Sequence, residues 1–551
     1  MPLYNIIRSL GFACLLSAAL PVLANNVRVT NVAMSGMNTV SGTTQIALDV
    51  AWDNSWYDSD NHDAVWLFVK YRVNTGDNLW RHATLSTSGH VTTSGFSLDQ
   101  ANSKGVFLRR SGTGSGTADA SGIELQWHFA VDPERAVPGG AAPDFIDPDD
   151  VLEVKVHAIE MVYVPEGPYD IGDGRPVDNS NHNQFHRADS ATTPFRVTSE
   201  NSLNLGGTSA ANLCTTTGAG MVIDDFDAAT VKTLPAAFPK GYGGFYLMKY
   251  KTSQEQYVEF LNSLTRIQQE TRIANTDPNG YSLDIPGDQY SALRRLVIRP
   301  KAAPSGSTVP YEFVCDLNNN KTGNEPDDGQ NLAVLGIKWE DAAAYLDWSG
   351  LRPMTEFEFE KACRGPLAAV PGEFPWGTTY LRNDDILLVN AGTASEIPDP
   401  AQRADSNCAV TRFGDGAPRR VGMHAGNNAT ESRESAGAGF YGAMDLAGNG
   451  IEQVVTASKP EGRSFTGISG DGQLDSAGNA DVEDWPAASG LGAGFRGLIL
   501  QNPNRYSTSC RVLLNGYPDP GSARTQYPTQ GFRGAFTYPT AQVSTGGGGA
   551  L

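Results

Sequence analysis

The chain carries no run of basic residues and no apolar stretch after its first two dozen positions that is long enough to span a bilayer. With 41 Lys and Arg against 61 Asp and Glu, the net charge of −20 excludes the basic footprint that a nucleic-acid binder needs to displace counterions. Cysteine is scarce, six in 551 residues, and no two fall at a metal-binding spacing. Cys14 lies inside the apolar leader, so five remain beyond it: Cys214, Cys315, Cys363, Cys408 and Cys510. An odd number leaves at least one thiol free or shared between chains.

The leader itself reads MPLYNIIRSLGFACLLSAALPVLANN, with one positive charge at Arg8, an apolar core to Leu23 and Val22-Leu23-Ala24 before Asn25. This is the pattern of a secretory signal over residues 1–24, cleaved near Ala24. The expected location is therefore the cell exterior or periplasm, with no transmembrane segment in the mature chain. A length of 551 residues predicts more than one domain.

From residue 25 to 159 the apolar pattern has period two. Ile46, Leu48, Val50 and Trp52 alternate with polar residues, as do Ile123, Leu125, Trp127 and Phe129, while Val65-Trp66-Leu67-Phe68-Val69 is apolar throughout. With Gly, Ser and Asn between the runs, the spacing predicts a β-sandwich. Its acidic loop DNSWYDSDNHD, residues 53–63, is a solvated hairpin or a cation or sugar contact.

Beyond residue 160 the texture changes to long loops with few helices. Ser253 and Gln256 form a capping box ahead of Tyr257, Phe260, Leu261 and Leu264, which share a helical face. KWEDAAAYLDW, residues 338–348, is a second helix. Thr355 and Glu358 cap a third that carries Phe359, Ala362 and a packed Cys363. The closing TGGGGAL places residues 541–551 in a disordered tail.

Several blocks of this second half, in order, are MVYVPEGPYDIGDG, GFYLMKYKTSQEQYVEFLNSL, LGIKWEDAAAYLDWSGLRPMTEFEFEKACRG, FPWG, GFYGAMDLAGNGIEQVV and GFRGAF. Together they make residues 160–540 resemble the formylglycine-generating enzyme, or sulfatase-modifying factor, domain. The resemblance implies an α+β, C-type lectin-like domain with little regular structure, preceded here by the all-β sandwich. Family members include copper-dependent oxidases of a substrate cysteine, sulfoxide synthases, and exported proteins without chemistry, so the site must decide.

The oxidases resemble a Gly-Gly-Ser run followed by two cysteines five positions apart, ahead of an arginine on the next strand. Laying Arg511 on that arginine puts Asn502 and Ser507 at the two thiol positions. Two soft sulfur ligands select Cu(I), and a lone Cys510 out of phase supplies one, so no copper is expected. A sulfoxide synthase implies a histidine-rich iron site; the best pair, His182 and His186, lies in a loop-like context.

Metal binding of another kind is expected at Asp445-Leu-Ala-Gly448-Asn449-Gly450-Ile-Glu452, which resembles the family's NxxGNxxE calcium segment. Asp445 and Glu452 would supply carboxylates, and Gly448 and Gly450 carbonyls, all hard oxygen donors suited to Ca²⁺. DLNNNKTGNEPDD, residues 316–328, is a weaker calcium loop, with Lys321 where the sharp turn needs glycine.

The functional expectation is a secreted, non-catalytic, calcium-supported protein that binds a protein or glycan ligand outside the cell. Its binding surface is assigned to Asn502, Asn504, Arg505, Tyr506, Ser507, Thr508 and Ser509, a composition that adaptable binding surfaces favour. That tract also resembles the diversified segment of lectin-fold proteins altered by diversity-generating retroelements. Two alternatives stay open: an oxidase that uses an unrecognised cysteine pair such as Cys510 with Cys408, and a structural component of the cell envelope.

Overall fold

The computed structural model describes residues 26–74, 76–134, 145–146, 150, 152–175, 184–215, 224–283, 297–381, 387–399, 418–425, 432–497, 508–509, 511 and 530–538. It is mostly β, with short helices. The expected signal segment, the Gly-rich tail, His182, Cys408, Cys510 and residues 502–507 lie outside the described residues.

The N-terminal strands are β1 (Arg28–Asn38), β2 (Thr43–Tyr57), β3 (Asp63–Val73), β4 (Arg81–His82), β5 (Phe96–Asn102), β6 (Gly105–Arg110), β7 (Gly114–Trp127) and β8 (Leu152–Val164). One sheet has the order β1-β2-β7. The other has eight strands: Arg352–Pro353, Gly534–Thr537, Phe245–Met248, β8, β3, β6 and β5 in sequence across it, with β4 paired to β3.

The two sheets face each other across a core of Ile46, Leu48, Val50, Trp52, Val65, Leu67, Val69, Ile123, Leu125 and Trp127, which is a sandwich. Successive side chains of a strand point to opposite faces, so Trp66 and Phe68 emerge on the far side of β3. There they join Tyr246, Met248, Tyr257, Phe260, Tyr345 and Trp348 in a second core. This is why residues 65–69 are apolar without alternation: β3 is covered on both faces, whereas β2 alternates because only one of its faces is buried.

The larger sheet runs straight through the expected 159/160 boundary. That position falls inside β8, which pairs with β3 on one side and with Phe245–Met248 on the other. The sandwich and the C-terminal region thus share a sheet rather than meet at a linker. The acidic loop at 53–63 reinforces the join. Asp63 is fully buried and accepts hydrogen bonds from Trp52 Nε1 (3.0 Å), Ser55 Oγ (2.9 Å) and Lys249 Nζ (3.2 Å), the last also reaching Glu160 (3.1 Å).

The helices are α1 (Gln254–Leu261), α2 (Arg266–Arg272), α3 (Trp339–Trp348), α4 (Glu356–Arg364), α5 (Arg433–Ala436) and α6 (Pro460–Arg463). The capping boxes read from sequence at Ser253 with Gln256 and at Thr355 with Glu358 both form, each hydroxyl accepting from the third helical amide while that residue's side chain reaches back. A three-stranded sheet of Ile451–Val455, Ala493–Arg496 and Gln530–Gly531 lies beside α4 and carries the regions expected to be functional.

Candidate functional site

Helix α4 presents Glu356 and Glu360 four residues apart, on one helical face. Both are fully buried, and arginines from far along the chain meet them. Arg496 ends the strand before the 498–510 segment, and its Nη2 donates to Glu360 Oε1 at 2.7 Å while its Nε stands 3.9 Å from Glu356 Oε2. Arg511 follows the segment; its Nε donates to Glu356 Oε2 at 2.7 Å and its Nη1 to Asp224 Oδ2 at 3.0 Å. One carboxylate, Glu356, therefore holds both ends of the segment.

Arg364 completes the network. Its guanidinium donates to Glu360 Oε2 (3.1 Å), to Glu373 and to Ser509 Oγ (2.7 Å). Burial alone would raise the Glu360 carboxyl, but Arg496 and Arg364 outweigh it and hold that group below its ordinary range.

The expected ligand-contacting residues divide here. Thr508 and Ser509 are 2% and 0% exposed. Ser509 Oγ donates to Glu360 (3.1 Å), and the Thr508 amide donates to the Glu373 carbonyl (2.8 Å). They are anchors facing the interior, not part of an exposed surface, because buried charges recruit nearby hydroxyls and amides as partners. Asn502, Asn504, Arg505, Tyr506 and Ser507 lie outside the described residues.

Among the described residues the cysteines are Cys214, Cys315 and Cys363, each buried and free. Burial raises all three thiols above their ordinary value, which disfavours the thiolate that a soft metal needs. Cys363 sits where the helical pattern put it, in the apolar packing of α4.

On the same sheet, Glu452 lies directly opposite Arg496 in register, with Gly531 on its other side. The turn that delivers it passes through left-handed backbone at Asp445 (φ 56°), Gly448 (77°), Asn449 (52°) and Gly450 (92°). Asn449 stitches the turn by accepting from the Arg419 amide (2.9 Å) and donating to its carbonyl (3.2 Å). Asp445 Oδ2 accepts from the Gly422 amide at 2.7 Å, and burial raises this carboxyl.

Glu452 is fully buried. Its Oε1 takes Lys251 Nζ at 2.5 Å and Arg533 Nε at 2.7 Å. Its Oε2 is buried without a hydrogen-bond partner. One carboxylate oxygen of Glu452 is thus without a partner, while Lys251 and Arg533 neutralise the other.

Of the remaining sequence candidates, the 316–328 loop brings carboxylate oxygens of Glu325, Asp327 and Asp328 within 4.8 Å of one another. His186 lies in the strand Phe185–Arg187, not a helix, and its expected partner His182 lies outside the described residues. Asp316 is fully buried and accepts from Arg299 and from the amides of Asn320 and Lys321, both at 3.1 Å, which closes the turn from within. Sequence reasoning missed Glu356, Glu360 and Arg364. The available signal was a helix bearing charges between Phe357, Phe359, Ala362 and Cys363, which leaves no side free for solvent.

Residues 215–534, more than half of the chain, match the sequence profile of the sulfatase-modifying factor enzyme 1-like domain, and the chain belongs to that family. It is similar to the formylglycine-generating enzyme of Mus musculus, 29% identical over 138 residues covering 24% of this chain and 34% of that protein. It is also similar to the inactive C-alpha-formylglycine-generating enzyme 2 of Mus musculus, 28% over 148 residues (26% and 39%). A third relative is the hercynine oxygenase of Mycolicibacterium smegmatis, 31% over 98 residues (18% and 20%). The chain spans between about a fifth and two fifths of the length of these curated relatives. No helix among the described residues is long and apolar enough to cross a membrane.

Proposed function

We propose that this chain is a non-catalytic, exported ligand-binding member of the family, with a C-type lectin-like arrangement supported by calcium at Asp445, Gly448, Gly450 and Glu452. The observation that carries the reading is the grip of Glu356 on Arg496 and Arg511. Laying Arg511 on the oxidases' strand arginine, as the resemblance implies, puts Asn502 and Ser507 at the positions of their paired thiols. Amide and hydroxyl oxygens are poor ligands for Cu(I). The existence of a relative named inactive agrees with loss of chemistry on this scaffold.

The binding surface is narrowed to Asn502, Asn504, Arg505, Tyr506 and Ser507, since Thr508 and Ser509 are committed inward. Calcium, when bound, would draw Asp445 and Glu452 to one centre and stiffen the turn that leads into the sheet. The test is incubation of the purified protein with a sulfatase-type cysteine peptide and copper. No formylglycine is expected; turnover lost in Cys510→Ala would instead establish the oxidase reading.

A further inference from the structure

β8 is unevenly covered along its length. β3 pairs with it from Leu152 to Val162, but the strand on its other side, Phe245–Met248, reaches only Met161–Val164. The last rung is Lys249 N to Glu160 O at 2.9 Å. Antiparallel strands send alternate residues' amide and carbonyl groups to the same side, so Val154, Val156 and Ala158 turn theirs toward the uncovered edge. No strand among the described residues pairs there.

A cavity of ≈ 660 Å³ follows that edge, lined by every residue from Val154 to Ile159. Val29 and Val32 of β1 also line it, as do Glu255 and Glu259 of α1 and Tyr345 and Trp348 of α3. Two buried polar atoms in the lining, His157 Nε2 and Trp348 Nε1, have no hydrogen-bond partner. The charges are also unequal. Lys155 is 4.0 Å from Glu259 and both are more than 40% exposed, while no hydrogen bond or ion pair engages the Glu255 carboxylate among the described residues. Arg28 is turned to Asp53.

We propose that this groove receives an extended segment of a partner protein as an added strand along Val154–Ala158, with side chains that alternate aliphatic and basic. The backbone of the guest would complete the open edge, the mode in which main-chain bonds give affinity and alternate pockets give selectivity. Five residues of edge extend about 17 Å. Aliphatic side chains would lie toward Val29, Val32 and Val156, and basic ones toward Glu255 and Glu259. This site is separate from the 496–511 segment and does not depend on the reading given for it.

The full-length protein is titrated with acetyl-Val-Lys-Val-Lys-Val-amide, and amide hydrogen exchange is followed over residues 152–158. Binding is expected to slow exchange there. The acidic peptide acetyl-Val-Glu-Val-Glu-Val-amide should bind at least about tenfold more weakly, and Glu255→Gln with Glu259→Gln should weaken the lysine peptide by a similar factor without shifting the melting temperature. A lysine peptide N-methylated at alternate residues should not bind. Equal binding of the methylated peptide, absence of protection at 152–158, or protection already present without peptide because the chain self-associates through this edge would each overturn the proposal.

Discussion

Helices α3 and α4 are neighbours in the chain, and both bury carboxylates, but they satisfy them differently. On α4, Glu356, Glu358 and Glu360 each meet guanidinium groups; Arg352 clasps Glu358 with two bonds of 2.6 and 2.9 Å. On α3, Asp341 has Arg272 at 3.1 Å, but the hydrogen bonds that Asp347 accepts at the far end come, among the described residues, from the amides of Asp471 (3.0 Å) and Asp481 (3.2 Å). Burial first, and the neighbouring Asp471 carboxylate second, push the Asp347 carboxyl up to about 7. Glu360 and Asp347, both fully buried, are therefore shifted in opposite directions, and the difference is the pair of guanidinium groups that reaches Glu360.

The largest effect should come from breaking the matched side. Glu356→Ala leaves Arg496 and Arg511 buried with one carboxylate fewer, and is expected to cost about 3–5 kcal/mol in urea unfolding. A loss under about 1 kcal/mol would mean that the two arginines find other partners and that the segment ends are not held by this residue.

The unmatched side is tested by pH. An aspartate raised from 3.8 to about 7 keeps in the fold a proton that the unfolded chain releases. Its contribution is complete below about pH 4, falls as pH rises toward 7 and is gone above it, on the order of 4 kcal/mol over that window at 1.36 kcal/mol per unit. Relative to the parent protein, Asp347→Asn should therefore gain in unfolding midpoint between pH 4 and 8. Parallel profiles for the two proteins would refute the assignment.

Glu452 stands between these cases, with one oxygen matched and the other open. Calcium at about a hundredfold above its dissociation constant should stabilise the protein by about 2.7 kcal/mol. Asp445→Ala should remove that gain, as should Glu452→Gln if the latter folds. Identical melting with calcium and with chelator would count against a cation at this turn.

What could be read from the sequence was what local chemistry decides. The capping boxes at Ser253 and Thr355 use residues three apart, and the alternation in β2 reports a single buried face. The Glu356 network could not be read this way, since its partners lie 140 and 155 residues away. Thr508 and Ser509 were misplaced for a related reason: short hydroxylated side chains suit exposed loops, and only the distant arrival of Arg364 and Glu360 turns them inward. The run at 65–69 announced a strand, but its second covered face depends on helices far along the chain, with Trp66 donating to the Ser349 carbonyl 283 residues later. The assignment of Asn502 and Ser507 to the paired-thiol positions rests on family likeness alone, since both lie outside the described residues.

The continuous sheet through β8 also bears on how this molecule can be divided or recombined. A fragment beginning at residue 160 would lack β3 and β6, and so would leave Met161, Tyr246 and Met248 without Trp66, Phe68 and Phe107 above them. Fusing the C-terminal region to another protein, or exchanging the N-terminal strands for those of a relative, would have to carry the strand partners along with it. The heritable unit is the sheet, and sequence drift in the first 160 residues should be restrained by side chains that belong to the rest of the chain.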